Sequence, residues 1–287
     1  MRKFIRRIFL IASLSVISVS AVYMLLFTLS LPLTPLAAEV FYVIEKAGHN
    51  SGKTAVILGD SVCNQLYSQR KDSQQFSHLG CNQAITTAGT YILLSKYLAN
   101  NPQTKEVYYI IRPQSLGNDM NLNYTYQYFV IPFVNDENMK LIDDETRQKL
   151  YDKFGKFFVE NSYAKKFLHS NNLFMTQYIN HVKAKTETRY FHRLSRTAII
   201  YLPKIRELCR QYGARLTVLP LPLPDTEENY GWDDFDADVI EYGFNDVLGD
   251  FTKRIHYCPD EWYSDGSHFK PEILEGHITE LRGWVMN

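Results

Sequence analysis

The sequence predicts an α/β protein built on a parallel sheet with helices on both of its faces. Three observations predict it. Short apolar runs rich in β-branched and aromatic residues recur along the chain, as in Thr54–Leu58 and Glu106–Ile111. Longer stretches of helical periodicity alternate with them. Turn-forming residues, such as Asn100-Asn101-Pro102 and Gly213, punctuate the alternation. The roughly 235 residues after position 53 suffice for one large domain with an ample core.

The elements follow in order. Arg2, Lys3, Arg6 and Arg7 precede an uncharged stretch from Ile8 to Leu33, and the first acidic residue is Glu39. A helix of about 20 apolar residues crosses a bilayer, and the basic cluster holds its own side in the cytoplasm. Leu36-Ala37-Ala38 is a poor cleavage site after so long an apolar run. Residues 1–33 are therefore expected to be a basic flank and a single transmembrane anchor, 34–53 a tether, and 54–287 a domain outside the cytoplasm. Gly48-His49-Asn50-Ser51-Gly52-Lys53-Thr54 looks like a phosphate-binding loop, but it has one residue too few between its glycines and precedes a strand. It reads as a flexible linker.

Within the domain, Thr54–Leu58 is the first strand and Phe76–Leu79 the second, with a helix over Ile85–Ala99. Glu106–Ile111 is the third strand, stopped by Arg112-Pro113. Residues 113–190, rich in Tyr, Phe and Asn, fit no simple crossover and are expected to form a mostly helical insertion. A helix over Leu194–Tyr212 contains Pro203, and Arg215–Leu219 is the fourth strand. Asp234–Thr252 reads as helical, Ile255–Tyr257 as a short fifth strand, and Pro271–Val285 as the last helix.

Two motifs carry chemistry. Gly59-Asp60-Ser61 closes the first strand, and Asp265-Gly266-Ser267-His268 precedes the last helix. Together they supply a nucleophile (Ser61), a base (His268) and an orienting carboxylate (Asp265). A serine there is also an ordinary helix N-cap, a position that gives it helix amides as neighbours. Ligands of open α/β sheets sit beyond the carboxyl ends of the strands, where both motifs fall. A Gly-x-Ser-x-Gly elbow is absent, since Cys63 stands where its second glycine belongs. The eight histidines include no His-x-x-x-His pair, so neither metal nor cofactor is expected. Lys plus Arg total 31 against Asp plus Glu 31, which gives no support for nucleic-acid binding.

The two motifs together resemble the SGNH (GDSL-like) hydrolase superfamily. The resemblance implies a flavodoxin-like three-layer α/β/α fold and a serine esterase or O-acyltransferase. It also implies an oxyanion hole made by the amides of Ser61 and Gly80 and by an asparagine side chain. Gly80 lies in His78-Leu79-Gly80-Cys81-Asn82. Asn118, in Gly117-Asn118-Asp119, lacks the family's intervening residue, and Asn82 is the alternative. If Ser61 and Gly80 face one oxyanion, Cys63 and Cys81 are neighbours, and an oxidising compartment would allow a disulfide between them.

Anchored members of the superfamily often act on cell-envelope glycans, some beside a multi-pass membrane acyltransferase. The expected function is thus hydrolysis or transfer of O-acyl groups, acetyl above all, on an envelope polysaccharide. The alternatives are a carboxylesterase or lipase on small or lipid esters, and a non-catalytic accessory protein of a membrane acyltransferase. Acetyl-CoA is cytoplasmic and one span makes no pore, so transfer would need a multi-pass partner, contacted by Ile8–Leu31 and the insertion; hydrolysis needs none.

Overall fold

Four parallel strands form the main sheet and place Ser61 at its edge. They are β1 (Ala55–Gly59), β2 (Phe76–Gly80), β3 (Glu106–Ile111) and β4 (Arg215–Pro220), in the spatial order β2-β1-β3-β4. The computed structural model describes residues 2–28, 37–122, 124–169, 172–183 and 192–286. The helices are α1 (Arg2–Thr28), α2 (Ala38–Ala47), α3 (Ser61–Leu66), α4 (Thr86–Asn100), α5 (Pro113–Leu116), α6 (Ile131–Phe133), α7 (Asp144–Phe154), α8 (Lys156–Glu160), α9 (Ser162–His169), α10 (Asn172–Lys183), α11 (Arg196–Gln211), α12 (Asp233–Glu241), α13 (Asn245–Leu248) and α14 (Pro271–Met286). A π-helical turn, Tyr126–Val130, runs into α6.

Alternation along the strands builds two cores. Val56 and Leu58 of β1, with Val107, Tyr109 and Ile111 of β3, face one side, where they join residues of α2, α4 and α11. Ile57 and Ile110 face the other, against Val62 and Leu66 of α3 and Leu281 and Val285 of α14. A period of two along each strand produces this division, and helices on both faces make three layers. Both faces of the central strands are buried, so β1 is wholly apolar apart from its terminal glycine.

Several expectations change. The segment expected to be a tether holds α2, whose Val40, Val43 and Ala47 are completely buried at helical spacing. The Gly48–Thr54 linker is fastened rather than free: the amide of Ser51 donates to Asn101 Oδ1 at 2.7 Å, and its hydroxyl pairs with Tyr97 at 2.9 Å. The fifth strand does not join the main sheet. Instead β5 (Leu223–Pro224) and β6 (Tyr257–Cys258) form a separate parallel pair. Pro220, Pro222 and Pro224 lack the N–H groups that would extend the sheet beyond β4.

The expected transmembrane span is not found. Among the described residues no helix is long and apolar enough to cross a membrane. The start of the segment does form α1. Residues 29–33 of the expected span lie outside the described residues. The insertion is helical as expected, from α5 to α10, and residues 184–190 also lie outside the described residues.

The cysteines provide a further correction. Cys63, Cys81, Cys209 and Cys258 are all buried free thiols, so the Cys63–Cys81 disulfide is not formed. The Cys63 thiol turns to the Leu58 carbonyl at 3.7 Å. Burial, with Asp60 and Cys81 nearby, pushes its pKa well above the ordinary thiol value. A thiol kept neutral in this way is a packing residue, not a nucleophile.

Candidate active site

The chain runs from β1 outward to β2 and then back across β1 to β3, so the carboxyl ends of β1 and β3 flank a topological switch point. The first functional motif sits there. Asp60 caps the short helix α3, its Oδ1 accepting from the amides of Val62 at 3.0 Å and Cys63 at 3.2 Å. Its Oδ2 crosses to the end of β3, accepting from the Arg112 amide at 3.0 Å and the Ser115 hydroxyl at 2.8 Å. A buried carboxylate with four donors closes the crevice between the strands and fixes the turn that exposes Ser61.

The second motif comes from the loop between β6 and α14. Gly266, with φ of 72°, turns the chain so that Asp265 folds back on its own loop. Asp265 Oδ1 accepts from the amides of Ser267 at 3.0 Å and His268 at 2.8 Å, and Oδ2 meets His268 Nδ1 at 2.9 Å. His268 Nε2 lies 2.8 Å from Ser61 Oγ. The three residues expected to form a triad are thus brought into one hydrogen-bonded chain, although Ser61 and His268 are 207 positions apart.

A side chain unnoticed in the sequence fastens the two motifs together. Gln65, on α3, donates from Nε2 to the Phe269 carbonyl and accepts at Oε1 from the Phe269 amide, both at 3.1 Å. Phe269 is itself buried against Tyr263, with ring centroids 4.6 Å apart. The histidine loop is therefore clamped to the helix that begins at the serine. Gln65 looks like any polar helix residue in the sequence, and only its distance from Phe269 in space reveals the clamp.

The expected oxyanion groups fare differently. Gly80 pairs with Gly59 at the tips of β2 and β1, and a side chain there would press on the Asn64 amide and the Cys63 sulfur. It therefore stands beside the start of α3. Asn82 caps the following turn, Oδ1 accepting from the Ala84 amide at 2.9 Å. Asn118 donates to Gln83 Oε1 at 3.4 Å and is not joined to the serine-histidine pair. Burial raises the Glu39 pKa, against the opposing effects of a hydrogen bond from Asn82 and the charge of His268. Glu39 was hidden by the reading of its segment as a tether; the i, i+3, i+4 apolar spacing of Val40, Val43 and Ile44 is the signal that marks the helix.

Asp265 also defines a pH dependence. Its partial burial would raise its pKa, but the hydrogen bonds from the His268 amide and ring, the His268 charge and the Ser267 amide win and hold it below the ordinary aspartate value. A folded value below the unfolded one contributes stability above the usual carboxylate range, which is lost as pH falls through the folded value. The expected result is a side-chain carboxyl titration for Asp265, followed by carbon-13 NMR, with its midpoint below the ordinary aspartate value. In a His268→Ala protein the midpoint should rise. An unshifted midpoint in that variant would show that the histidine does not hold the carboxylate.

Fold and site together define an α/β protein with a hydrogen-bonded Ser61-His268-Asp265 chain beside the carboxyl ends of its parallel strands. Among the described residues no group of histidine, cysteine or carboxylate side chains is placed to hold a metal ion. No family model matches the chain, and no curated protein matches it. Among solved structures it is similar to one described as "a putative platelet activating factor from Streptococcus pneumonia", at 10% identity and a TM-score of 0.36, over 92% of this chain and 99% of that one. So distant a likeness carries no argument.

Proposed function

We propose that this chain is a serine esterase or O-acyltransferase of the SGNH type, acting on O-acyl groups, acetyl above all, of a cell-envelope polysaccharide. The observation that carries the reading is the chain from Ser61 Oγ through His268 to Asp265, at 2.8 and 2.9 Å. In the reaction, Ser61 Oγ attacks the ester carbonyl while His268 Nε2 takes the hydroxyl proton. His268 then gives that proton to the leaving alcohol, and water or an acceptor hydroxyl releases the acyl group by the same steps in reverse. Asp265 keeps the ring oriented and offsets its positive charge. The amides of Ser61 and Gly80 are the proposed oxyanion donors, and Asn82 is favoured over Asn118 as their side-chain companion.

The proposed location is the outer side of the cytoplasmic membrane. The basic start of α1 and its exposed apolar side chains, Phe9, Ile11, Val16 and Val19 among them, support lipid or a membrane protein as cover for this helix. Acyl transfer there would draw on a multi-pass partner.

The test is labelling of the full chain with a serine-directed fluorophosphonate, followed by mapping of the modified peptide. Modification of Ser61 is expected, together with acetate release from acetylated glycan. Preference for long acyl chains would point to a lipase, and absence of labelling to a non-catalytic accessory protein.

A further inference from the structure

A cleft of about 690 Å³ opens beside the triad, lined in part by Gly266 and Ser267 of the histidine loop. Its wall also carries a polar cluster that the catalytic steps do not use. Arg112, only 7% exposed, pairs with Glu227 Oε1 at 2.9 Å, and Gln114 Nε2 donates to the other oxygen of the same carboxylate. Two atoms of this cluster are buried without partners, Arg112 Nε and Gln114 Oε1. One is a donor and the other an acceptor. Leaving either unmade is unfavourable, and buried polar atoms in folded proteins are ordinarily satisfied.

The charges in the wall select among ligands. A carboxylate would suit Arg112, but Glu227 and Asp260 line the same cleft and would repel it. An acyl chain would take the water from a charged pair and return no hydrogen bond. Hydroxyl groups both donate and accept, so a neutral polyol matches the mixture of donors and acceptors without adding charge. The place is also right: the Arg112 amide is hydrogen-bonded to Asp60, the neighbour of Ser61.

We propose that Arg112, Gln114 and Glu227 form a subsite for a neutral, polyhydroxylated glycan. The subsite would grip sugar hydroxyls while the ester is presented to Ser61. That presentation rests on the esterase reading, whereas glycan binding itself does not.

The test is isothermal titration of the full chain carrying Ser61→Ala, which prevents turnover, with cellohexaose, chitohexaose and hexagalacturonate. Saturable binding of at least one neutral hexasaccharide is expected, roughly tenfold or more tighter than the uronate, and adding Glu227→Gln should weaken it by about tenfold, the usual worth of a hydrogen bond to a charged group. If Glu227→Gln lowers the thermal midpoint, Gln114→Leu carries the same expectation. No saturable binding of either neutral sugar, tighter binding of the uronate, or unchanged affinity in a well-folded variant would overturn the subsite. Glycan binding without phosphonate labelling would retain the subsite and remove the esterase; labelling without glycan binding would do the reverse.

Discussion

Ser61→Ala is expected to lower ester hydrolysis by about 10⁴-fold or more, as loss of a triad nucleophile does, with the fold intact. The hydroxyl is half-buried, and its hydrogen bond at 2.8 Å runs to His268, which Asp265 and the Gln65 clamp hold independently. Truncation therefore removes the attacking atom without loosening its neighbours. His268→Ala should be about equally severe. Asp265→Asn should retain more turnover, because that residue orients the base and does not touch the ester. The checks are turnover of a chromogenic acetyl ester and circular dichroism on the same preparations. Near-normal turnover by a folded Ser61→Ala protein would end the triad assignment.

Gly59→Ala should have the largest effect on the fold itself. A Cβ at this position would lie 2.0 Å from the Ile110 carbonyl oxygen and 2.5 Å from Cys63 Cβ. The first of these is backbone of the central strand β3, hydrogen-bonded on both sides, and cannot swing aside as a side chain would. Something must shift, and a shift here carries Asp60 and Ser61 with it. We expect a loss of about 3 kcal/mol or more, at the upper end for overpacking, seen as a lower denaturant midpoint or as insoluble protein. Gly276→Ala is the matched control, since a Cβ there meets nothing within 4 Å and lies inside α14. Equal midpoints for the two variants would contradict the packing described at β1. The glycine before the aspartate and serine is thus a requirement of strand packing as much as of the site.

What the sequence made legible was local. The strand β3 has the limits expected of it, and β1, β2 and β4 differ at their ends by a residue; β1 shows why most plainly, since a strand buried on both faces is an uninterrupted apolar run. The meeting of Ser61, His268 and Asp265 was legible because each half is a compact motif with its own turn chemistry. Features that depend on distant pairing were not. Arg112 and Glu227 are 115 positions apart, and Gln65 and Phe269 are 204 apart; nothing about either partner alone marks it. The fifth strand was misplaced because a run of suitable residues does not reveal which edge will accept it. The state of Cys63 and Cys81, disulfide or free thiols, stayed open in the sequence because closeness of two cysteines does not align their side chains.

Helix α2 determines where the folding unit begins. Its Val40, Val43 and Ala47 fill the apolar face above the sheet, and Lys46 Nζ donates to the carbonyls of Gln69 and His78 and to Asp72. A protease cutting just before β1 would strip all of this away, at about 1.5–3 kcal/mol for each fully buried valine, and leave an open apolar furrow over α4. The folding unit therefore includes Ala38–Ala47, and a fragment that begins at β1 lacks part of its own core.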